Sequence, residues 1–252
     1  MPDLIEVWRS AGTVDDEQEL LFQECYRSIA ERPRLVLAQA GQGLDGRIAT
    51  RTGHSHTING PSGLDHLHRL RALVDAVVIG CGTAVLDNPR LTTRRVRGPD
   101  PVRVVIDPSG RTPRGSRILA EGAAPTIMIT RPGIPVSGLH PSVRHIELAP
   151  AADGFGPQHI LDALHEHGLD KVLIEGGPTT VSRFIDAGCI DELHVMVAPL
   201  ILGSGRSGFE LDPIDRIEQA LTFTARSYRL GSDVLFACRL NAAGPEGRGG
   251  PP

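Results

Sequence analysis

The sequence lacks any apolar run approaching the ~20 residues that a membrane-spanning helix needs. Its first ten residues, MPDLIEVWRS, also lack the pattern of a signal peptide. The chain also has no large excess of positive or negative charge, since its formal net charge is −4. We therefore expect a cytoplasmic protein that binds neither nucleic acid nor a membrane surface.

Cysteine is sparse and scattered, with no C-x-x-C pair among Cys25, Cys81, Cys189 and Cys238. That spacing argues against a disulfide framework and against a structural zinc site, and it predicts buried or neutral thiols. Several histidines stand two residues apart, a spacing that points them to different faces of a helix. We predict that these histidines are solvated and hold no metal; the pairs are His54 and His56, His66 and His68, and His165 and His167.

The composition itself, with 40% hydrophobic and 22% charged residues, is that of an ordinary soluble globular protein. Helical periodicity predicts helices over 15–31, 61–74 and 158–168, and a further helix that begins at Pro178. Apolar runs predict strands over 34–40, 75–80, 102–107, 125–130, 172–174, 191–203 and 233–240. This alternation is typical of an α/β fold with a mostly parallel central sheet. The last strands follow one another without helices, which predicts an antiparallel C-terminal edge.

We expect three parts in the chain of 252 residues. Residues 1–32 are expected to form an N-terminal helical extension, and residues 33–240 the main domain. Residues 241–252, NAAGPEGRGGPP, are rich in Gly and Pro and are expected to be disordered.

The segment KVLIEGGPTTVSRFIDAG, residues 171–188, has the pattern of a strand, a tight turn and a helix. Gly176 and Gly177 allow the backbone to turn sharply and to approach something bulky, and Pro178 suits the first position of a helix. Exposed N–H groups at a helix N-terminus can bind an anion. The segment therefore predicts either a phosphate site or a tight loop without a ligand.

A second glycine turn follows a strand in IGCGTAVLDNPRLTTR, residues 79–94. It resembles a dinucleotide fingerprint, but Val85 occupies the third glycine position and no acidic ribose partner follows at the expected distance. What remains is Thr83, Asp87 and Arg94 beyond the carboxyl end of a strand, where open α/β sheets bind ligands. The alternative is an ordinary capped loop.

Together with a third motif, these segments resemble the reductase domain of riboflavin biosynthesis, a member of the dihydrofolate-reductase-like fold. The motifs stand in the expected order: GLDG (43–46), HTINGP (56–61), RLRALVDAVVIG (69–80), GCGTAVLDNPRLTTR (80–94), VRVVID (102–107), VLIEGGPT (172–179) and DELHVMVAPLILG (191–203). Each motif is weak alone, whereas the ordered set is specific. The resemblance covers roughly residues 33 to 240 and implies a three-layer fold with helices on both sides of the sheet.

The resemblance implies an NADPH-dependent reductase whose substrate is a phosphorylated pyrimidine. It implies cofactor contacts for Gln42, Thr57, Thr83, Asp87, Gly177, Pro178, Thr179, Thr180, Val181 and Ser182, the last six at the phosphates. It implies substrate contacts for Ser55, Arg71, Leu91, Arg94 and Glu175. The chemistry agrees, because arginine forks suit a sugar phosphate. Hydride transfer needs alignment and exclusion of water rather than a metal or a protein nucleophile.

In this family, NADPH reduces the ribosylamino group of a pyrimidine 5′-phosphate to a ribitylamino group. The ring-opened sugar would present an imine-like carbon to the hydride, and Asp87 is the side chain expected to orient the substrate or to relay a proton. A turn cap is the alternative role for Asp87. Two other functions stay open, namely reduction of another heterocycle such as a pterin, and a non-catalytic nucleotide-binding module.

The chain departs from the family pattern at four positions. Gln39 replaces a usual lysine, Gly43 a usual Ser or Thr, Thr57 an aromatic residue, and Pro108 a residue whose hydroxyl often meets the cofactor. The zinc deaminase motifs H-x-E and P-C-x-x-C, which often precede this domain, are absent, so we expect a stand-alone reductase. Relatives of this kind resemble homodimers paired through late strands, so we expect a homodimer.

Overall fold

The computed structural model of the chain describes residues 3–11, 15–55, 58–149 and 155–240. The predicted cofactor contact of Thr57 and the predicted disorder of residues 241–252 concern positions outside these ranges. Among the described residues, no helix is both long and apolar enough to cross a membrane.

A nine-stranded sheet forms the middle of the described structure, and β2 pairs separately with β9. The strands are β1 (Leu35–Gly43), β2 (Arg47–Thr50), β3 (Ala76–Gly80), β4 (Val102–Ile106), β5 (Thr126–Thr130), β6 (Val143–Glu147), β7 (Lys171–Ile174), β8 (Glu192–Ala198), β9 (Gly205–Ser207), β10 (Phe223–Leu230) and β11 (Asp233–Leu240). The order in the large sheet is β10-β11-β8-β1-β7-β3-β4-β5-β6. Neighbours from β8 to β6 are parallel, and β11 is antiparallel to β8 and β10. The predicted parallel sheet and its antiparallel C-terminal edge are confirmed.

Helices flank this sheet. They are α1 (Leu4–Arg9), α2 (Asp16–Leu20), α3 (Arg27–Glu31), α4 (Pro61–Leu73), α5 (Cys81–Leu86), α6 (Arg117–Ala120), α7 (Pro157–His165) and α8 (Pro178–Asp186). A π-helical segment, Leu21–Tyr26, joins α2 to α3, so the helix predicted over 15–31 is continuous in the structure. A 3-10 turn, Ile217–Gln219, precedes β10.

Alternate residues of the parallel strands enter two separate hydrophobic cores. Val77 and Ile79 of β3 join one core with Leu70 of α4 and the N-terminal helices. Val78 joins the other core with Phe184 of α8. Successive side chains of a strand point to opposite faces of the sheet, so a strand covered on both sides is apolar throughout. The three-layer architecture implied by the resemblance is confirmed.

Several element boundaries differ from the predictions. β1 continues beyond residue 40 to Gly43, because its last residues pair with β8 up to Ala198. The strand predicted over 191–203 ends at Ala198. The elements β2, β6, β9, β10, α5 and α6 were not predicted. β10 gives little sequence signal because residues 224–227 of this edge strand are exposed and carry no apolar alternation.

The N-terminal helices are held against α4 by aromatic rings. The guanidinium carbon of Arg69 lies 6.0, 5.2 and 5.6 Å from the ring centroids of Trp8, Phe22 and Tyr26. Cation–π contacts of this kind contribute about 0.5–2 kcal/mol each. Tyr26 Oη also lies 2.8 Å from His66 Nδ1, so one ring contacts α4 in two ways.

The prediction that the paired histidines are solvated is wrong for His66 and His68, which are 0% and 2% exposed. Their spacing does put them on different faces, but both faces of α4 are covered. The N-terminal helices cover the His66 side, where Tyr26 is the partner. Residues 92–95 cover the His68 side, where the N–H of Arg94 is the partner. Sequence spacing predicts directions around a helix and says nothing of what packs there.

His66 belongs to a buried hydrogen-bonded chain. Its Nε2 lies 3.1 Å from His194 Nδ1, and His194 Nε2 lies 2.9 Å from Glu192 Oε1. Burial, with His194 and Arg69 nearby, holds the pKa of His66 well below its usual range. His66 is therefore neutral, and its Nδ1 can accept a hydrogen bond from the Tyr26 O–H while its Nε2–H donates to His194 Nδ1.

Replacing Tyr26 by Phe should lower the free energy of unfolding by about 1–3 kcal/mol, since the change leaves His66 Nδ1 buried without a partner. Tyr228→Phe is the matched control, because the Tyr228 hydroxyl contacts the solvent-accessible ion pair of Glu24, at 3.4 Å, and Arg226. Urea unfolding of the two variants measures the difference. Equal small losses would show that the Tyr26 hydroxyl contributes nothing to docking the N-terminal helices.

Candidate functional site

A cavity of about 860 Å³ lies at the carboxyl ends of β3, β4 and β7, and we call it the glycine-turn cavity. β3 pairs in parallel with both β4 and β7, so the segments that follow these strands emerge at the same edge of the sheet. Open α/β sheets bind their ligands at this edge. The volume lies in the upper part of the ~300–1,000 Å³ range of small-molecule sites.

The two glycine turns contact each other in the wall of this cavity. The N–H of Gly177 donates to Thr83 Oγ1 over 2.9 Å. Gly176 has a φ of 122°, which side chains rarely allow, and a Cβ there would lie 3.0 Å from Thr83 Oγ1. A Cβ on Gly80 would lie 2.5 Å from Thr180 Oγ1. Each glycine therefore leaves room for a threonine side chain of the opposite turn.

The N-terminus of α8 faces the cavity. Gly177 is its N-cap and offers no side chain to the first amides of the helix, and Thr179 and Thr180 line the cavity with their hydroxyls. Thr179 Oγ1 donates to Glu210 Oε2 over 2.6 Å, and Arg206 Nε lies 3.9 Å from Glu210 Oε1. Pro178 has no N–H, and the N–H groups of Thr180 and Val181 donate to the carbonyl of Gly177, so the Thr179 N–H is the one left without a partner among the described residues of this turn. A free helix amide beside a guanidinium suits an anion.

Asp87 ends the second glycine turn. It is the C-cap of α5, where its N–H donates to the carbonyl of Thr83 over 2.9 Å. Its side chain is exposed to the cavity, yet desolvation by the surrounding walls raises the pKa of Asp87, and the charge of Arg206 offsets part of the rise. A carboxyl group with a raised pKa keeps a proton closer to neutral pH than an ordinary aspartate does.

The backbone just after Asp87 is strained. Asn88 and Leu91 have φ angles of 43° and 56°, a region that residues with a side chain seldom occupy. Asn88 Oδ1 accepts the N–H of Arg117 over 2.7 Å, and Leu91 is buried in the cavity wall. Strain held in place by such contacts is concentrated at functional sites.

Arg71 and Glu175 form a buried ion pair between α4 and the end of β7. Arg71 Nε and Nη2 donate to Glu175 Oε1 and Oε2 over 2.8 and 2.7 Å, and each residue is 6% exposed. Arg71 Nη1 donates further to the carbonyl of Thr92 over 3.2 Å. Both side chains line the glycine-turn cavity, so a ligand there meets a guanidinium and a carboxylate that already neutralise each other.

A second cavity of about 290 Å³, the arginine cavity, adjoins the first. Its walls include Arg71, Arg90, Arg94 and Arg117 as well as Asp87. Arg90 and Arg117 lie within 2.9 and 3.7 Å of carboxylate oxygens of Glu121. Among the described residues, Arg94 forms no ion pair of its own. Burial, followed by the charge of Arg71, lowers the pKa of Arg94, as expected where cations are crowded together. The arginine cavity is therefore suited to an anion.

Comparison with known proteins identifies the family. The RibD C-terminal domain family matches residues 34–236. The 2,5-diamino-6-ribosylamino-4(3H)-pyrimidinone 5′-phosphate reductase of Methanothermobacter thermautotrophicus is 36% identical over 211 residues, which are 81% of this chain and 96% of that protein. The chain belongs to the RibD C-terminal domain family. The family predicted from the sequence motifs is confirmed.

Other members of the RibD family agree. The riboflavin biosynthesis protein RibD of Aquifex aeolicus is 32% identical over 234 residues, covering 89% of this chain and 63% of that protein. The structure of Acinetobacter baumannii RibD superposes with a TM-score of 0.71 at 27% identity, over 82% of this chain and 58% of that one. The riboflavin biosynthesis reductase Rib7 of Saccharomyces cerevisiae has a TM-score of 0.70 over 90% of this chain and all of its own length, and at 20% identity it shows the fold.

Most residues with an expected ligand contact stand around the cavities of this RibD-type domain. The glycine-turn cavity is lined by Ser55, Arg71, Thr83, Asp87, Leu91, Glu175, Gly177, Thr179 and Thr180, and the arginine cavity by Arg94. The described walls do not include Gln42, Pro178, Val181 or Ser182. Val181 and Ser182 are each 1% exposed, and Ser182 Oγ accepts the N–H of Glu210 over 2.8 Å. Their side chains belong to the core, so contact with a ligand would come through backbone.

The structure explains some of the positions at which the chain departs from the family pattern. A Cβ on Gly43 would lie 2.8 Å from the carbonyl oxygen of Leu200, which disfavours Ser or Thr there. Pro108 lines the glycine-turn cavity, and the adjacent Ser109 offers a hydroxyl to the same space. Gln39 is buried in β1 beside β8, away from the described cavity walls.

Sequence analysis missed several side chains of the glycine-turn cavity. They are Cys81, Arg111, Arg131, Arg183 and Arg206. Arg111 Nη2 lies 2.8 Å from Cys81 Sγ, and Arg131 follows directly after β5. Neither arginine belongs to a recognisable motif, although a cation just beyond a parallel strand is a usable signal once the sheet order is known.

The described residues also gather one set of potential metal ligands, Cys25, Glu192 and His194, all buried. These residues lie outside both cavities. His194 Nε2 is already hydrogen-bonded to Glu192, and Arg32 and Arg239 lie 3.4 and 3.7 Å from Glu192 Oε2. The two arginines therefore balance the charge of the carboxylate, while Oε2 itself has no hydrogen-bond partner.

Replacing Gly80 by Ala should separate the two glycine turns, because the new methyl group would press on the Thr180 hydroxyl. We expect the dissociation constant of a nicotinamide cofactor, tested with NADPH, to rise about tenfold, equivalent to about 1.4 kcal/mol. The NADPH-induced rise in melting temperature measures this change. Gly115→Ala, which meets nothing within 4 Å and lies outside the cavity walls, is the control. An unchanged NADPH response in the Gly80 variant would contradict the geometry.

Proposed function

We propose that this chain reduces 2,5-diamino-6-ribosylamino-4(3H)-pyrimidinone 5′-phosphate with NADPH and converts its ribosylamino group to a ribitylamino group. The observation that carries the proposal is the position of Asp87, which lines both the glycine-turn cavity and the arginine cavity. A dinucleotide in the first and a sugar phosphate in the second would meet at this residue. The name of the Methanothermobacter relative, 96% of which this chain covers, supports the choice of substrate.

The residues around the glycine-turn cavity suit a nicotinamide dinucleotide. Gly176 lets the turn pack against Thr83, and the Thr179 N–H at the start of α8 is available to a pyrophosphate oxygen. Arg206 Nη2 would stand 3.8 Å from a Cβ on Gly177, so a cation reaches the same turn. Arg111 and Arg131 line the cavity after β4 and β5, and such cations favour the additional 2′-phosphate of NADPH over NADH.

The arginine cavity suits the 5′-phosphate of the substrate. Arg71 forms an ion pair with Glu175, and Arg90 and Arg117 lie beside Glu121. Arg94 has no acidic partner among the described residues. A phosphate group would complete the charge balance of Arg94 with charge-assisted hydrogen bonds. The buried pair of Arg71 and Glu175 would then form a rigid wall between the phosphate and the pyrimidine.

The mechanism requires a hydride on carbon and a proton on nitrogen, because it reduces a carbon–nitrogen double bond. Bound NADPH supplies the hydride. Asp87 is the proton donor of the proposal, since its raised pKa favours the acid form more than in an ordinary aspartate, and that proton would pass to the developing amine nitrogen. Leu91 and Ile79 line the cavity and exclude water from the reacting atoms.

Three further expectations from the sequence stay predictions: a homodimer, a cytoplasmic location and the division of the chain at residues 32 and 240. The outer face of the C-terminal edge supports the homodimer. Phe236 of β11 is 39% exposed, and its cross-strand neighbour Ser227 of β10 is exposed as well. An exposed aromatic residue on an edge hairpin is a usual contact point between subunits.

Replacing Asp87 by Asn should lower kcat at least about tenfold, or about 1.4 kcal/mol of barrier, while the affinity for NADPH changes little. Asn keeps the shape and the turn preference but cannot relay a proton. In the wild-type protein, kcat should fall as the pH rises through the raised pKa of Asp87, because the acid form is lost. The Asn variant should lack this step. A wild-type kcat in Asp87→Asn would show that Asp87 serves only as a turn cap.

Replacing Arg94 by Ala should raise KM for the phosphorylated substrate about tenfold more than KM for its dephosphorylated ribosyl analogue, since only the first carries the anion. Steady-state loss of nicotinamide absorbance with each compound measures the two values. Arg95→Ala is the matched control, because Arg95 is adjacent in sequence but paired with Asp65 and absent from both cavity walls. Equal effects on both compounds would remove Arg94 from the substrate site.

A further inference from the structure

His68 is a buried histidine beside the arginine cavity that the mechanism above does not use. It lies on α4, is 2% exposed, and its Nδ1 accepts the backbone N–H of Arg94 over 3.1 Å. The acceptor role requires a neutral ring with its proton on Nε2. Burial and the charges of Arg71, Arg94 and Arg95 lower the pKa of His68 to about 3, so the ring remains an acceptor at neutral pH.

His68 and Arg71 act together on one short backbone segment. They are three residues apart on α4 and therefore share a face of the helix. Arg71 Nη1 donates to the carbonyl of Thr92 over 3.2 Å, while His68 accepts the N–H of Arg94. Between these two bonds, the N–H of Thr93 donates to Asp100 Oδ1 over 2.5 Å. Three consecutive residues of the loop are thus held through their backbones.

The three contacts of His68, Arg71 and Asp100 with the backbone of residues 92–94 fix the position of the Arg94 backbone. They therefore fix the point from which the Arg94 side chain extends. The loop before it is strained, with a φ of 56° at Leu91, so it needs tertiary contacts to keep its shape. The guanidinium of Arg94 forms no ion pair among the described residues, so its position depends on the backbone rather than on a neighbouring acid. Loss of one of these backbone contacts would therefore displace the Arg94 guanidinium within the arginine cavity.

We propose that His68 is a positioning residue for substrate phosphate binding, which fixes Arg94 by accepting its amide N–H. The role rests on the proposed function of Arg94, and it assigns to His68 a part in substrate selectivity without contact with the substrate. His68→Leu removes the acceptor while keeping an apolar volume. His68→Asn keeps an acceptor, because its Oδ1 can occupy nearly the same place as the imidazole Nδ1.

The test compares KM for the phosphorylated substrate with KM for the dephosphorylated ribosyl analogue, together with the inhibition constant of inorganic phosphate. His68→Leu should raise KM for the phosphorylated compound and the phosphate inhibition constant about five- to tenfold, with little change for the analogue. In His68→Asn, KM for the phosphorylated compound and the phosphate inhibition constant should both lie close to their wild-type values. The NADPH-induced rise in melting temperature should stay at the wild-type value in each variant.

His66→Leu is the matched control, because it removes a second buried histidine from the same helix on the side facing Tyr26. It should lower thermal stability and leave the ratio of the two KM values unchanged. A merely structural role of His68 predicts the same behaviour for His68→Leu, so an unchanged ratio there overturns the proposal. If His68→Leu does not fold, His68→Asn provides the test. Because Asn keeps the acceptor, a ratio of the two KM values that differs from the wild-type ratio would overturn the proposal.

Arg94→Ala separates this inference from the proposed function. In that background, His68→Leu should cause no further change in the ratio, because both changes act through one guanidinium. A ratio altered by Arg94→Ala but not by His68→Leu contradicts only the positioning role. A ratio that Arg94→Ala leaves unchanged contradicts the phosphate site and the positioning role together.

Discussion

The parallel pairing of β3 with β7 is the constraint on which the rest of the site depends. It places two glycine turns from distant parts of the chain side by side, and the hydrogen bond from the Gly177 N–H to Thr83 Oγ1 joins them. The same pairing positions Asp87 at the end of one turn and Glu175 at the start of the other. Neither turn alone encloses a ligand, because each supplies one wall of the cavity.

The two cavities differ in the distribution of charge along their walls. The guanidinium of Arg71 is committed to Glu175 and to the carbonyl of Thr92, so it contributes rigidity more than free charge. Breaking such a buried pair leaves an uncompensated charge and typically costs about 3–5 kcal/mol. Arg94, which lacks an acidic partner among the described residues, is the cation of the arginine cavity with charge to offer. On the other side, the glycine-turn cavity combines the start of α8 with Arg206.

Membership of an ordered motif predicted some of the residues that line the cavity, but not all of its predictions place a side chain there. Thr83, Asp87 and Gly177 follow strands at recognisable glycine turns, and all three line the cavity. Val181 and Ser182 belong to the same motif, but their side chains are buried because α8 turns that face toward the sheet. Arg131 and Arg206 have no motif at all, since they enter the cavity from loops and strands whose positions depend on the sheet order.

The sequence by itself determined the class of fold, the succession of strands and helices and the family, because apolar periodicity and glycine turns are local properties of the chain. It did not reveal that both His66 and His68 are buried, nor that Arg71 is neutralised by Glu175 more than a hundred positions away. Those facts depend on which surfaces pack against α4. Only the tertiary structure decides that, since burial and charge pairing are set by neighbours in space rather than by neighbours in sequence.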